Sequence, residues 1–93
     1  MHVVDHVRGG WYLLEDGPDL YLDVNADPVG GTVRLTQDEA QQCRRGGREA
    51  TARLAEHLSY HVRELHQRHD AAAASNAHAA VIAWQRGDSP LSG

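Results

Sequence analysis

TQDEAQQCRRGGREATARLAEHLSYHVRELHQRH, residues 36–69, carries the longest helical pattern in the chain, and its reading decides the fold. Thr36 precedes Glu39 by three residues, so its hydroxyl can accept from the Glu39 amide while the Glu39 carboxylate reaches back to the Thr36 amide. This capping box, with Leu35 and Ala40 placed as a weak hydrophobic staple, predicts a helix starting at Gln37. Leu54, Leu58, Val62 and Leu65 recur at spacings of four, four and three, one stripe of a 3.6-residue helix. Arg53, Glu56, Tyr60, Arg63 and Gln67 then fall on a solvated face. Gly46-Gly47 interrupts the pattern, each glycine costing roughly 1 kcal/mol against alanine inside a helix. Counting back from Leu54 at 100° per residue still places Gly47, Cys43 and Ala40 on the apolar stripe. Two helices are expected, Gln37–Arg45 and Arg48–His69, with a single kinked helix as the alternative. About 34 residues of straight helix would span some 50 Å, too long for a chain of this size, which favours the break.

Ahead of this segment the pattern changes to strands. Leu20, Leu22, Val24 and Ala26 alternate with Tyr21, Asp23 and Asn25, the mark of a half-buried strand. Trp11–Glu15 precedes it across an Asp16-Gly17 turn that Pro18 fixes, and Met1–Arg8, closed by Gly9-Gly10, reads as a short edge strand. Asp27-Pro28 and Gly30-Gly31 make a loop before a last short strand, Thr32–Leu35, with Val33 and Leu35 inward. Short links between successive strands favour an antiparallel meander. After His69, Ser75 or Asn76 can cap a final helix in which Ala77, Val81 and Trp84 share a face and which Gly87 stops. The expected architecture is α+β: a three- to four-stranded antiparallel meander followed by two or three helices packed on one sheet face. Residues 1–87 form one domain and 88–93 a flexible tail.

Ninety-three residues allow one core, and leucine, isoleucine, valine and phenylalanine supply only 18 of them. A core this thin makes self-association, as a homodimer, the expectation. All nine basic residues are arginine. Residues 1–33 set Arg8 against six acids and carry −5, whereas residues 34–69 set seven arginines against five acids and carry +2. Cys43 is the single cysteine, so no internal disulfide forms and a reducing compartment is expected. No apolar run approaches the roughly 20 residues of a membrane span, and no leader-like segment opens the chain. A cytoplasmic protein without membrane attachment is the reading.

The pattern Trp11-x-Leu13, Asp16-Gly17, Tyr21-Leu22-Asp23-Val24, Leu35-x-x-x-Glu39, Gly46 and Leu54-Ala55 resembles small proteins of unknown function from actinobacteria and their phages, over about residues 11–58. The resemblance implies no activity and no catalytic residues. In element order alone the chain is similar to the peptide-binding recognition domains of natural-product biosynthesis, whose first helix packs large apolar residues absent here.

Several constellations invite a chemical reading. His57, His61 and Glu64 share a helix face at a spacing that can chelate zinc, but they also flank the apolar stripe, and no thiolate or HExxH pattern accompanies them. Asp23-x-Asn25-x-Asp27 imitates the start of a calcium loop, yet Pro28 and Arg34 stand where glycine and a bidentate acid are required. Arg44, Arg45, Arg48 and Arg53 surround the glycine pair as they would in a helix-turn-helix; the acidity of the chain and the core duty of the second helix oppose that reading. Cys43 lies on the apolar stripe, a buried small hydrophobe rather than a nucleophile. The sequence therefore points to a non-enzymatic protein-interaction or regulatory module of an actinobacterium or actinophage that uses no cofactor or metal and self-associates. Its binding surface would be the polar sheet face of Tyr21, Asp23 and Asn25, or the apolar surplus around Trp84. The alternative is a small nucleic-acid-binding regulator using Arg44, Arg45, Arg48 and Arg53.

Overall fold

Four strands and three helices follow one another in the computed structural model, which describes residues 1–25 and 30–92 and side chains as far as Arg86. Strands β1 (His2–Val7), β2 (Trp11–Asp16), β3 (Asp19–Val24) and β4 (Gly31–Arg34) form one antiparallel sheet in the order β1-β2-β3-β4. Each strand pairs with its sequence neighbour, so this is the expected meander. Asp16 pairs with Asp19, which leaves Gly17-Pro18 as the two-residue loop, one place later than the Asp16-Gly17 turn of the sequence reading. Gly17 takes a φ of +60°, which glycine at the first position of such a loop adopts freely. Strand β3 starts at Asp19 and ends at Val24; Ala26 and the Asp27-Pro28 turn lie outside the described residues.

The alternation in β3 sets the core. Leu20, Leu22 and Val24 are buried beside Trp11, Leu13, Val33 and Leu35, and helices α1 (Gln37–Tyr60) and α2 (Val62–Arg68) cover them with Ala40, Cys43, Ala55, Leu58 and Leu65. Leu22, Val33, Leu58 and Leu65 at its centre are wholly inaccessible. Helix α3 (Ala71–Ser92) takes a different position from the single-face packing expected. Trp84 packs against His6 and Tyr12 at ring-centroid distances of 4.5 and 6.0 Å. His6 and Tyr12 are cross-strand partners, and Tyr12 pairs in turn with Asp23, so all three project from the face opposite Leu22. The sheet is thus covered on both sides, which explains why adjacent Leu13 and Leu14 are both buried.

The helical segment breaks at Gly47, whose φ of +65° and ψ of −148° belong to a region essentially reserved for glycine. The longest dimension of the fold is 40 Å, which a straight helix over residues 36–69 would exceed. Thr51, fully buried, donates its hydroxyl to the Gly47 carbonyl at 3.1 Å, which satisfies the buried hydroxyl. The break also turns the buried stripe: Thr51, Ala55, Leu58 and Leu65 are inside, whereas Leu54 and Val62 sit half-buried at its margin. A second break, at His61, was not expected. There the backbone leaves the helix at φ −118° and ψ 64°, and α2 folds back toward β4.

From α2 the chain passes round the outer edge of β4. His69 bridges to Val33, its Nδ1 accepts the Thr32 amide at 3.0 Å, and the Asp70 amide donates to the Thr32 carbonyl at 2.9 Å. This wrap covers the β4 edge and delivers α3 to the second face. Asp70, rather than Ser75 or Asn76, caps α3 by accepting the Ala73 amide at 3.1 Å, so the alanine run lies inside the helix. The helix also runs through Gly87 to Ser92, where the sequence reading places a stop and a tail. At the other edge, β1 has a register irregularity between Val3 and Asp5, and the Asp5 carboxylate accepts the His6 amide at 2.8 Å. Both devices blunt an exposed strand.

The expected capping box is present: Glu39 N–H donates to Thr36 Oγ1 at 3.2 Å, and Thr36 N–H donates to Glu39 Oε1 at 2.9 Å. The same carboxylate accepts both guanidinium nitrogens of Arg68, at 2.6 and 3.0 Å.

The break and the ion pair can each be probed by substitution. Gly47→Ala forces a β-carbon into the glycine-only region and is expected to cost about 1–3 kcal/mol, seen as a lowered urea midpoint; an unchanged midpoint would refute the break. Gly46→Ala is a second probe, since its β-carbon would collide with that of Ala50. Arg68→Ala should cost about 1.5–3 kcal/mol at neutral pH. The Arg68 hydrogen bonds hold the Glu39 carboxyl below its ordinary range against the opposing effect of burial. Its contribution is therefore present above the unfolded carboxyl value and lost as pH falls through the folded one. Loss of stability on acidification should be shallower in Arg68→Ala; parallel pH profiles would show that the pair contributes nothing.

Candidate functional site

The hairpin turn after β1 and the end of β3 meet at one end of the sheet, and two clefts open there. One, of about 330 Å³, is lined by Gly9, Gly10, Tyr12, Asp23, Asn25 and Gly30 on the α3 face. The other, of about 210 Å³, lies on the α1 face between Trp11, Ala52, Glu56 and Tyr60. Gly10, Val24 and Asn25 border both. Tyr60 stands at 78% exposure, an unusual position for a large aromatic ring.

Asp23 is the ionisable centre of the larger cleft. It is half-buried, and Oδ1 accepts the Thr32 hydroxyl at 3.2 Å. Burial pushes its carboxyl above the ordinary range, while the Thr32 hydrogen bond and the nearby His69 and His78 act in the opposite direction. Tyr12 lies directly across the strand pair from Asp23. Its ring stacks on His6 at 5.8 Å. His6, Tyr12 and Trp84 thus make an aromatic layer beneath α3, which continues to Asp23 and Thr32.

The sequence-derived site residues separate into three groups. Asp23 and Asn25 are together at the cleft, whereas Tyr21 is half-buried on the same face but further along β3, beside Arg34 of β4. Trp84 is not an apolar surplus, since its ring is spent on His6 and Tyr12. The arginines are not assembled into one patch: Arg48 binds Asp5 at 2.9 Å, Arg44 approaches Glu15 at 4.0 Å and Arg53 pairs with Glu49 at 3.1 Å. Arg45 alone of the four has no ionic partner among the described residues. Tyr12, His78 and the exposed Tyr60 were missed as site residues. Tyr12 could have been found, because the unbroken run Trp11-Tyr12-Leu13-Leu14 is the signal of a strand covered on both faces.

His57, His61 and Glu64 do come together, as a hinge clasp. The two imidazoles stack at 4.1 Å with an interplanar angle of 20°, His57 Nε2 contacts Glu64 Oε2 at 2.8 Å, and His61 Nδ1 donates to the His57 carbonyl at 2.7 Å. Parallel stacked rings do not point their nitrogen lone pairs at a common centre. Among the described residues no group of three or more ligating side chains has metal-binding geometry. Cys43 is buried in the core, as expected. No described helix is long and apolar enough to cross a membrane.

An acid whose folded pKa is raised lowers stability when ionised, and that penalty grows as pH rises from the unfolded value through the folded one. Asp23→Asn, whose amide oxygen can still accept from Thr32, should therefore be at least as stable as the parent at pH 7. Solvent at this half-exposed site keeps the gain below about 1 kcal/mol. The difference should shrink on acidification toward pH 4, and a lower urea midpoint for Asp23→Asn at pH 7 would contradict this account. No family model, no curated protein and no solved structure matches the chain.

Proposed function

We propose that the chain is a non-enzymatic protein-interaction module that associates with itself, and that the open end of the sheet is its contact surface. The observation that carries this reading is the pair of adjacent clefts sharing Gly10, Val24 and Asn25, with the half-buried Asp23 on one side and the exposed Tyr60 ring on the other. An exposed tyrosine beside an apolar wall is the kind of anchor that concentrates binding energy in a small interface. The thin core points the same way, since Val4 and Val7 of β1 are also left exposed.

The second reading, nucleic-acid binding through Arg44, Arg45, Arg48 and Arg53, has less support. Three of these side chains already face carboxylates, two of them on the sheet. Phosphate binding would have to displace those partners.

Light scattering across the micromolar range should give a mass rising toward that of a dimer, and Tyr60→Ser should remain a monomer. A monomer mass for the parent at high micromolar concentration would overturn self-association. A salt-sensitive mobility shift with random DNA or RNA would favour the second reading.

A further inference from the structure

Six acidic side chains among the described residues are half-buried, and five have a basic partner. Asp5 meets Arg48 at 2.9 Å, Glu15 meets His2 at 3.3 Å, Asp19 meets Arg34 at 3.0 Å, Glu39 meets Arg68 at 2.6 Å and Glu64 meets His57 at 2.8 Å. Asp23 is the exception. Among the described residues its one hydrogen bond comes from the neutral Thr32 hydroxyl to Oδ1, and Oδ2 accepts from none of them. A carboxylate partly withdrawn from water and lacking an ion-pair partner is an unfavourable arrangement that a fold with nine arginines could have neutralised.

The nearby histidines act on Asp23 only from beyond ion-pair distance. His69 Nδ1 accepts the Thr32 amide and His78 is exposed on α3, and neither makes an ion pair with Asp23 among the described residues. The carboxylate instead lines a cleft of about 330 Å³ whose wall beside it is the Tyr12 ring. A negative group next to an aromatic surface, in a recess large enough for a few heavy atoms, is the arrangement that selects an organic cation.

From this missing ion-pair partner we infer that the Asp23 cleft binds the cationic end of a partner's side chain, an arginine guanidinium or a lysine ammonium. The carboxylate accepts its N–H groups through Oδ2, and the Tyr12 ring contacts its charged end. This inference rests on the sheet end being the contact surface and specifies what enters its larger cleft.

The test uses methylguanidinium and methylammonium chloride, titrated into the isotopically labelled full chain near pH 7.5, with sodium chloride as the ionic control. Saturable shifts of the Gly10 and Asn25 amides are expected, with affinity on the order of millimolar, absent with sodium chloride. Binding should weaken at least about tenfold in Asp23→Asn and several-fold in Tyr12→Leu, with Tyr12→Phe close to the parent. Asp23→Asn should fold at least as well as the parent, so loss of binding there would not reflect unfolding. No saturable shift in the parent, or equal shifts in Asp23→Asn, would overturn the inference. Light scattering on the same samples separates the two claims: a dimer that binds neither cation and dimerises equally well as Asp23→Asn rejects the cation site and leaves the contact surface standing. A monomer that binds both through Asp23 supports the cation site and rejects self-association.

Discussion

The Glu39 carboxylate is the tie on which the placement of the helices depends. It closes the capping box with Thr36 and accepts a two-pronged bond from Arg68, whose guanidinium also donates to the Arg34 carbonyl at 3.2 Å. The start of α1, the end of α2 and the end of β4 are thereby joined at one point. Exposed ion pairs contribute little, because solvent screening and side-chain entropy offset the attraction. This pair differs in being mostly enclosed, at 20% and 25% side-chain exposure, and in its fixed two-pronged geometry. With α2 anchored beside β4, His69 and Asp70 are placed to cover the β4 edge, and the chain has one short route left, onto the opposite face.

That route gives the sheet two unlike faces. The α1 and α2 side is an apolar core closed around Leu22, Val33, Leu58 and Leu65. The α3 side is a layer of His6, Tyr12 and Trp84 that runs into Asp23 and Thr32, covered by a helix whose inward residues include the buried Ala73 and Ala77. Alanine brings the helix backbone close to the sheet but fills little volume, so polar side chains such as Asp23 and Thr32 are housed on this side without dismantling the core. The bias of acids toward the strands and arginines toward the helices serves the same assembly. Asp5 and Glu15 of the sheet receive Arg48 and Arg44 of α1, and Arg53 pairs with Glu49, so what looks in the chain like a basic cluster is largely internal neutralisation.

Local chemistry was legible without the structure. The Thr36–Glu39 box, the strict alternation of β3 and the glycine pair each act within a few residues, and each does what its neighbours dictate: a cap, a half-buried strand, a break at Gly47. The meander followed by helices follows from these, since short links leave successive strands no other partners. Other features lay beyond local reading. The His61 break has neither glycine nor proline to announce it, and is imposed by the need to bring Leu65 back onto the sheet. The start of α3 at Asp70 was obscured because an alanine run has helical propensity but no apolar period.

The candidate site was half legible for the same reason. Asp23 and Asn25 stood out as polar positions of an alternating strand, but Tyr12, His69 and His78 join Asp23 only through strand pairing and the crossing of α3. The sequence determined a thin core and an excess of acid in the strand segment, because these are sums over stretches of chain that need no knowledge of contacts. Which half-buried acid goes without an ion-pair partner was decided by the tertiary structure alone, because ionic pairing is set by distances between residues such as Glu39 and Arg68 that lie far apart along the chain.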